Sequence, residues 1–347
     1  NQSNGGEDMA DISVIGSGSW GTAVTYLLAK NGHSVKLWSY FAEESQRLAR
    51  ERENKEFLPG VILPDTVLFT NDIKEALMGS ELVITAVPSH AMRTTAEAMK
   101  PFIDTRAQTI LNISKGLEEG TLMRLSQVIT DCIPSARVAV MSGPSHAEEV
   151  GKLMPTTNVV SCKDIALAKR IQNIMMSPTF RVYTNTDMIG VELGGSLKNV
   201  IALCAGIVDG LGFGDNTKAA LMTRGIAEIS RLGTVMGANP DTFAGLSGIG
   251  DLIVTCTSMH SRNRRAGILI GQGKNLSQAL EEVHMVVEGV RTAAAAHALA
   301  EKYEVEMPIC REAYLVLFEG KSAREAVNDL MLRSKKHESA EREYLNG

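Results

Sequence analysis

The sequence predicts an α/β N-terminal domain built on a parallel sheet, followed by an all-α C-terminal domain. Up to about residue 188, apolar runs of five or six residues alternate with helical stretches of about ten residues. This alternation is typical of parallel sheets with right-handed crossovers. From about Thr186 onward the chain reads as helices separated by Gly, Pro and Ser breaks, with no β-rich segment and no internal repeat.

Five apolar runs are predicted to be buried strands, and the first two are each followed by a predicted helix. The first helix, over residues 20–30, ends at Asn31-Gly32, which is a helix C-terminal signal. The second is charged and covers residues 42 to about 52, and Pro59 and Pro64 then mark a loop. The predicted strands are residues 11–15, 33–38, 82–87, 109–113 and 137–141.

The segment GSGSWG lies between the first predicted strand and the first predicted helix, and it fits the pattern GxGxxG. Gly16 would permit a tight turn, Gly18 would let the backbone approach a pyrophosphate, and Gly21 would let the helix sit close to the sheet. The helix N-terminus would offer free N–H groups to the phosphates. The sequence therefore predicts a Rossmann-like domain that binds a nicotinamide dinucleotide, with a plain glycine turn as the alternative.

The end of the second predicted strand bears on which dinucleotide is bound. A site selective for NAD usually carries Asp or Glu about 20 residues after the first glycine of the motif. Here the region reads WSYF at 38–41, and Glu43 and Glu44 follow only inside the next predicted helix. A 2′-phosphate would meet no repulsion from an acid at the strand end, so we expect NADPH to be accepted.

Composition and charge argue against several other classes of protein. The 347 residues are 44% hydrophobic and 22% charged, and the net charge of −5 argues against nucleic-acid or membrane-surface binding. No uninterrupted apolar run approaches the roughly 18 residues of a membrane span, so no membrane insertion is expected. The five cysteines are scattered and never form CxxC, which favours reduced thiols in a cytoplasmic protein. The seven histidines form no ligand cluster, so no metal site is predicted.

Two loops that follow predicted strands are candidate ligand-binding segments, because ligands bind beyond the carboxyl ends of parallel strands. Lys115 lies in SKGLE and is a candidate for contact with a phosphate or the reacting oxygen, with a solvated loop lysine as the alternative. The second loop is SGPSHA, at 142–147. There His146 is either a proton carrier or an ordinary loop or core histidine.

The helix around GGSLKNV carries the predicted catalytic residue. Gly194 and Gly195 precede Lys198 by four and three residues and share its helical face. Each mid-helix glycine costs about 1 kcal/mol relative to alanine, so the pair suggests room for a ligand or another backbone. Apolar flanking residues predict a partly desolvated lysine whose lowered pKa suits a general base. A lysine that reaches out to solvent is the alternative.

Two later segments complete the candidate site. GIGDL is a glycine-loosened loop that enters a helix with Asp251 near its start. SRNRR resembles a helix N-terminus capped by Ser261, where Arg262 and Asn263 would grip a phosphate. The alternatives for SRNRR are a solvated face and, ranked last, a nucleic-acid contact, because the cluster has no interleaved aromatic residues.

Taken in chain order, these motifs resemble the bacterial type of NAD(P)-dependent glycerol-3-phosphate dehydrogenases. The resemblance covers residues 11 to about 334 and includes GSGSWG, NGHSVKLW, AVPSH, SKGLE, SGPSHA, RVYTN, GGSLKNVIA, GIGDLIVTC, SRNRR, VVEGV and EMPI. It implies reversible hydride transfer between dihydroxyacetone phosphate and sn-glycerol 3-phosphate, with NADP(H) or NAD(H) as cofactor. It also implies a role in supplying the phospholipid backbone, and a homodimer.

The resemblance also implies roles for individual residues. Lys198 is similar to the family's proton acceptor. The implied substrate contacts are Lys115, Gly143, Ser145, Lys198, Asn199, Asp251, Ser261, Arg262 and Asn263. The implied dinucleotide contacts, added to the three glycines of the turn, are Ser19, Trp20, Tyr40, Lys115, Ala147, Arg262, Val286 and Glu288. The chain departs from the family pattern at Ser145-His146, where Thr-Phe is common, and at Tyr40, where a basic residue or His is frequent.

We therefore expect four parts and keep two alternatives open. The parts are a flexible N-terminal extension at 1–10, the dinucleotide-binding domain at 11–188, the helical substrate and catalytic domain at 189–335, and a charged tail at 336–347. One alternative is another dehydrogenase of the same layout, such as a 6-phosphogluconate or 3-hydroxyacyl type. The other is a redox-sensing protein that holds NADPH without chemistry, against which Lys198 beside paired glycines argues.

Overall fold

The computed structural model describes residues 9–335. Most of the expected flexible extension, and the whole of the expected charged tail at 336–347, lie outside the described residues. The chain divides into two compact units. The first contains residues up to 114, 126–141 and 145–186, and the second contains 115–125, 142–144 and the residues from 187 onward. Two loops that follow strands of the first unit thus belong to the second.

The first unit is built on a sheet that, within residues 9–335, has eight strands in the order β3-β2-β1-β4-β5-β6-β7-β8. Pairing is parallel from β3 through to β6, and again between β7 and β8. The order 3-2-1-4-5-6 is that of a doubly wound dinucleotide-binding sheet, with its switch point between β1 and β4. The strands are β1 Asp11–Ile15, β2 Ser34–Trp38, β3 Leu68–Thr70, β4 Leu82–Thr85, β5 Thr109–Asn112, β6 Arg137–Ser142, β7 Thr156–Ser161 and β8 Phe180–Asn185.

The predicted Rossmann-like fold class is confirmed, and the five predicted strands are present with ends shifted by at most two residues. Three strands were not predicted. β3 has only three residues at the edge of the sheet, and β7 reads TTNVVS, so neither stands out as an apolar run. The helices of this unit are α1 Ser19–Lys30, α2 Ala42–Glu51, α3 Ile73–Leu77, a 3₁₀ turn Ser89–Ala91, α4 Met92–Met99, α5 Leu125–Cys132, α6 Ala147–Val150 and α7 Ile165–Met175.

The second unit is helical and packs around one central helix, α8. This helix has 23 residues, and α9, α10, α11, α13 and α14 all contact it. The elements of the second unit are α8 Met188–Gly210, α9 Asp215–Val235, a 3₁₀ turn Pro240–Ala244, a π-helical turn Leu246–Gly250, α10 Asp251–Thr257, α11 Arg262–Gly271, α12 Leu276–Val283, α13 Glu288–Lys302, α14 Pro308–Phe318 and α15 Ala323–Met331.

Small residues bring α11 against α8. A Cβ atom on Gly206 would lie 2.0 Å from the carbonyl oxygen of Arg264, and one on Gly267 would lie 2.0 Å from that of Leu203. The backbones therefore touch, and a side chain at either glycine would force the helices apart. In length and hydropathy α8 is comparable with a membrane span, but every residue of its most apolar window is buried inside the protein.

Candidate active site

The glycine-rich turn follows β1, at the switch point of the sheet. Gly16 has φ of +120°, and a Cβ there would lie 2.7 Å from the carbonyl oxygen of Ala86. A Cβ on Gly21 would lie 1.9 Å from the carbonyl oxygen of Gly16, so helix and turn are in direct contact. A Cβ on Gly18 would meet nothing within 4 Å, which leaves open space beside the backbone at the N-terminus of α1. This arrangement fits a bound pyrophosphate, because helix N–H groups and room for phosphate occur together.

An acidic side chain reaches this turn by a route that the sequence did not predict. Although Glu44 is inside α2, its carboxylate accepts a hydrogen bond from the hydroxyl of Ser17 at 2.8 Å. Burial raises the pKa of Glu44, partly opposed by that hydrogen bond. Beyond β2, Tyr40 is 70% exposed and packs edge-on against the ring of Trp38. The end of β2 itself carries no acid, but the carboxylate of Glu44, on α2, contacts the glycine-rich turn.

Three charged side chains of the second unit form one cluster. Asp251, the first residue of α10, is 1% exposed and accepts from Lys198 Nζ on α8 at 2.7 Å and from Lys115 Nζ at 2.6 Å. Lys115 Nζ also donates to the carbonyl oxygen of Gly143 at 3.0 Å. Lys198 is 5% exposed, so the alternative of a lysine that reaches out to solvent is wrong. Lys115 is equally not a solvated loop lysine, since its ammonium is held by two acceptors.

Thr255 also belongs to this cluster, although it was not among the predicted site residues. Its hydroxyl accepts from Lys198 Nζ at 2.5 Å and donates to the backbone carbonyl of Asp251 at 2.6 Å. The signal was its position four residues after Asp251 on a predicted helix, which puts both side chains on one helical face. Lys198 Nζ is thereby held by one carboxylate oxygen and one hydroxyl oxygen.

The charges of the cluster oppose one another in their effect on proton affinity. Burial lowers the pKa of Lys198, Asp251 raises it and Lys115 lowers it, with a net value of about 8. Burial alone would raise the pKa of Asp251, but Lys115 and Lys198 hold it below its usual range. The cluster therefore pairs a permanent carboxylate with an amine that gains or loses a proton near neutral pH.

Of the paired glycines before Lys198, Gly194 makes room for another backbone, which is one of the two predicted reasons for the pair, and Gly195 makes room for side chains. A Cβ on Gly194 would lie 2.5 Å from the carbonyl oxygen of Ser247, and one on Gly195 would lie 2.3 Å from Ser142 Oγ. The glycines thus let the segment before α10 and the loop of Gly143 approach α8 closely. That approach brings Asp251 and Gly143 to the same stretch of helix as Lys198.

The N-terminus of α11 has the predicted cap. Ser261 Oγ accepts from the backbone N–H of Arg264 at 3.1 Å, and Arg262 is the first helical residue. The side chain of Asn263 is committed to other elements: Nδ2 donates to Asn199 Oδ1 at 2.9 Å, and Oδ1 accepts from the N–H of Gly289 at 2.8 Å. Its carboxamide therefore links α8 to the start of α13, and its backbone N–H is what it would offer a phosphate.

The remaining predicted contacts divide between the two units. The glycine turn, Ser19, Trp20, Tyr40, Ser145 and Ala147 belong to the first unit. Lys115, Gly143, Lys198, Asn199, Asp251, Ser261, Arg262, Asn263, Val286 and Glu288 belong to the second. Within the second unit, four of them, Lys115, Gly143, Lys198 and Asp251, form one chain of direct contacts. Glu288 is the first residue of α13 and directly precedes Gly289. Val286 lies two residues before Glu288 in the chain. His146 directly precedes α6 and is half-buried.

Comparison with known proteins agrees with this architecture. Residues 11–168 match the family described as NAD-dependent glycerol-3-phosphate dehydrogenase N-terminus, and residues 187–328 match the corresponding C-terminus family. The chain belongs to the NAD-dependent glycerol-3-phosphate dehydrogenase family. The two matches correspond closely to the sheet-containing part and the helical part of the structure.

Relatives within the family cover almost the whole chain. A protein of Desulfitobacterium hafniense (strain Y51) named glycerol-3-phosphate dehydrogenase [NAD(P)+] is 56% identical over 333 residues, which is 96% of this chain and 94% of the relative. One of the same name from Agathobacter rectalis is 55% identical over 97% of this chain and 100% of the relative. The crystal structure of glycerol-3-phosphate dehydrogenase from Coxiella burnetii has a TM-score of 0.90 at 38% identity, covering 94% of this chain and 99% of that one.

Proposed function

We propose that the chain catalyses the reversible NAD(P)H-dependent reduction of dihydroxyacetone phosphate to sn-glycerol 3-phosphate. The observation that carries the proposal is the buried contact of Lys198 with Asp251, in a chain of this family. A buried amine with a pKa of about 8 is suited to donate a proton in one direction and accept it in the other. A protein that only binds a dinucleotide has no need of such a group.

Lys198 performs the proton transfer in this mechanism. In reduction, its ammonium donates a proton to the C2 oxygen as that oxygen gains negative charge. In oxidation, the neutral amine removes the proton from the C2 hydroxyl. Asp251 orients the ammonium, and Lys115 adds positive charge near the developing alkoxide. A nicotinamide dinucleotide, when bound, supplies the hydride for reduction or takes it up in oxidation.

The phosphate of the substrate is assigned to the N-terminus of α11. The first N–H groups of a helix have no intrahelical acceptor, and the dipole is positive at that end. Arg262 adds a guanidinium that matches phosphate oxygens in a bidentate manner. Ser261 caps the helix, so the hydroxyl satisfies the N–H of Arg264 and leaves the earlier N–H groups for the phosphate.

The dinucleotide is assigned to the glycine turn of the first unit, with Ser19 and Trp20 at the start of α1 and Tyr40 at the adenosine end. We propose that NADPH is accepted, because no acid occupies the end of β2. Glu44 places a carboxylate at Ser17, so the choice between NADPH and NADH also depends on how this negative charge acts on a 2′-phosphate. Steady-state rates with NADPH and NADH decide the matter, and a strong preference for NADH would reject this part of the proposal.

Further expectations follow from the sequence and belong to the same proposal. The enzyme would act in the cytoplasm as a homodimer, without membrane insertion or nucleic acid, and supply sn-glycerol 3-phosphate for phospholipid synthesis. The five cysteines are free thiols, in keeping with a reducing compartment. The division into a dinucleotide-binding domain at 11–188 and a catalytic domain at 189–335 is proposed for function.

The decisive experiment is the loss of absorbance of NADPH or NADH when dihydroxyacetone phosphate is added to the purified protein. Turnover of this substrate, and not of 6-phosphogluconate or 3-hydroxyacyl substrates, supports the proposal, and absence of turnover rejects it. The variant Lys198→Ala should lose turnover while its dinucleotide affinity, measured by fluorescence titration, stays nearly unchanged. Turnover of this variant at the wild-type rate would reject the role of Lys198.

A further inference from the structure

The loop that carries Lys115 is attached to the catalytic helix α8 at both ends. Residues 115–125 belong to the second unit together with α8. At the far end, the guanidinium of Arg124 forms an ion pair with Glu192 of α8, and the two side chains are 12% and 6% exposed. At the near end, Gly116 contacts Ser196 of α8. Glu192 and Ser196 are four residues apart, so both attachments lie on one face of the helix.

The contact at Gly116 is a reciprocal pair of hydrogen bonds. The hydroxyl of Ser196 accepts from the Gly116 N–H at 2.9 Å and donates to the Gly116 carbonyl oxygen at 3.1 Å. Ser196 is 2% exposed and Gly116 is buried, so water does not replace these bonds without opening the structure. Gly116 has φ of +143°, a backbone conformation that only glycine adopts readily. One hydroxyl therefore satisfies both backbone polar groups of Gly116, the residue that follows Lys115.

Lys115 reaches the cluster from this fixed point. Its ammonium donates to Asp251 Oδ2 and to the carbonyl oxygen of Gly143. A lysine has four rotatable bonds in its side chain, and holding the ammonium in one place is favoured when its backbone is already fixed. Ser196 is two residues before Lys198 on α8, so the same short segment of helix fixes both lysines relative to Asp251.

We propose that Ser196 is a positioning residue that holds Lys115 in contact with Asp251. The proposal rests on the proposed function, because it gives Lys115 a part in the reaction. Ser196 acts through the backbone of Gly116 and touches neither the lysine ammonium nor Asp251. Without the hydroxyl, the backbone of Gly116 loses both of its hydrogen bonds to Ser196, and the ammonium of Lys115 withdraws from the carboxylate.

Withdrawal of Lys115 would also change the proton affinity of Lys198. The titratable groups that act on Lys198 are Asp251, Lys115 and Cys256. Lys115 lowers the pKa of Lys198 through its own positive charge. Lys115 also binds Asp251, whose carboxylate raises the pKa of Lys198. Removing Lys115 from the cluster therefore raises the pKa of Lys198 on both grounds. A purely structural role for Ser196 would not produce such a shift.

The test is a double-mutant cycle with Ser196→Ala, Lys115→Met and the combined variant. Ser196→Ala should lower kcat for reduction of dihydroxyacetone phosphate roughly 10- to 100-fold, the range expected when a catalytic group is displaced by about 1 Å. The pH at which kcat for reduction declines should move upward. Adding Ser196→Ala to Lys115→Met should change kcat little, because Ser196 acts through Lys115. A similar loss in both backgrounds, or wild-type kcat and pH profile in Ser196→Ala, would overturn the proposal.

The matched control is Thr242→Val, which removes another buried hydroxyl contact to the end of α8. The hydroxyl of Thr242 donates to Asp187, the N-cap of α8, at 2.7 Å. This variant should lose stability comparably but keep kcat and its pH profile. An equal effect of the control on kcat would show that Ser196 acts through general destabilisation and would reject the proposal.

Amide hydrogen exchange tests the proposal without any substrate. In Ser196→Ala the segment 115–118 should exchange faster, while in Thr242→Val its exchange should match the wild type. Wild-type exchange of this segment in Ser196→Ala rejects the positioning role, whatever the enzyme turns over. Absence of turnover by the wild-type protein rejects the proposed function instead, so the two failures are distinguishable.

Discussion

The ammonium nitrogen of Lys198 lies 2.7 Å from Asp251 Oδ1 inside the helical unit. The other carboxylate oxygen, Oδ2, is 2.6 Å from Lys115 Nζ. One buried carboxylate therefore separates two ammonium groups, and each lysine affects the proton affinity of the other through it. The opposing directions of these effects make the protonation of Lys198 sensitive to any change at Asp251 or Lys115.

The pH dependence of the reaction should differ in sign between its two directions. In the proposed mechanism, reduction of dihydroxyacetone phosphate needs protonated Lys198, so kcat/KM for reduction should fall as pH rises through about 8. Oxidation of glycerol 3-phosphate needs the neutral amine, so kcat/KM for oxidation should rise over the same interval. Initial rates at substrate concentrations below KM, from pH 6 to 10, measure both limbs. If the rates of reduction and oxidation both rose, or both fell, over this pH interval, the assignment of Lys198 as the proton carrier would be contradicted.

Asp251→Asn should lower kcat and shift the same pH limbs to lower pH. The carboxylate raises the pKa of Lys198, and without it the lowering effects of burial and of Lys115 would lose their main opposition. Removing one member of a buried charge cluster also costs about 3–5 kcal/mol in the free energy of unfolding. The shift is measured as above and the stability by urea denaturation. A limb that moves to higher pH would show that Asp251 does not act electrostatically on Lys198.

Two alanine substitutions in the glycine turn should separate dinucleotide binding from folding. Gly18→Ala places a methyl group where nothing lies within 4 Å, so the fold should keep its stability apart from a small capping cost. Its dissociation constant for NADPH should rise at least about 10-fold, because the methyl group occupies the approach of the pyrophosphate. Gly21→Ala should instead destabilise the fold, since its Cβ would lie 1.9 Å from the carbonyl oxygen of Gly16.

Fluorescence titration with NADPH and thermal unfolding distinguish the two variants of the turn. The prediction is wrong if Gly18→Ala unfolds as readily as Gly21→Ala, or if it binds NADPH as tightly as the wild type. Gly214→Ala is a suitable control in the other unit. Gly214 precedes α9 with a φ of −86°, and a Cβ there would also meet nothing within 4 Å. It should leave the affinity for NADPH unchanged and lower stability only by the same small capping cost as Gly18→Ala.

Glu228 should make the stability of the wild-type protein decrease with rising pH. Its carboxyl group, on α9, is 2% exposed and accepts from the N–H groups of Ile309 at 2.8 Å and Cys310 at 3.2 Å, at the start of α14. Burial raises its pKa from 4.5 to about 7, against the effect of those two bonds. The folded state thus binds the proton more tightly than the unfolded state, and stability from this group is lost as pH rises from about 4.5 through about 7.

A shift of that size corresponds to at most about 3 kcal/mol. Glu228→Gln keeps an acceptor for one N–H group but does not ionise, so its stability should vary less with pH. Urea denaturation of both proteins at pH 5 and pH 8 measures the difference. If the wild type and the variant lose equal stability between these pH values, Glu228 is ionised at no cost and the prediction fails.

Much of the candidate site could be expected from local sequence, because each motif encodes its own local structure. GSGSWG required a strand before it and a helix after it, and both are present. Ser261 had the signature of a helix cap, and it caps α11. The strands β3 and β7 were missed because one is short and exposed at an edge and the other is rich in polar residues. Their pairing partners, rather than their own apolar pattern, stabilise them.

The chemistry of the cluster required contacts between segments that are distant in the chain. Lys115 and Asp251 are 136 residues apart, and nothing in either local sequence indicates that they form an ion pair. Thr255 and Ser196 carry ordinary hydroxyl groups whose roles depend on which atoms lie opposite them. The reach of Glu44 back to Ser17 likewise crosses 27 residues. Sequence patterns describe the side chains available, whereas burial and partners determine their proton affinities.

By itself, the sequence determined the family, the order of the parallel-sheet and helical regions, the glycine turn and the candidate lysine. These depend on period, spacing and steric needs that act within about ten residues. Only the tertiary structure decided that Lys198 is buried, that Asp251 holds it together with Lys115, and that the loop of Lys115 is attached to α8 through Ser196. Electrostatic and hydrogen-bond energies depend on distance and solvent exclusion, which arise only once distant segments have packed together.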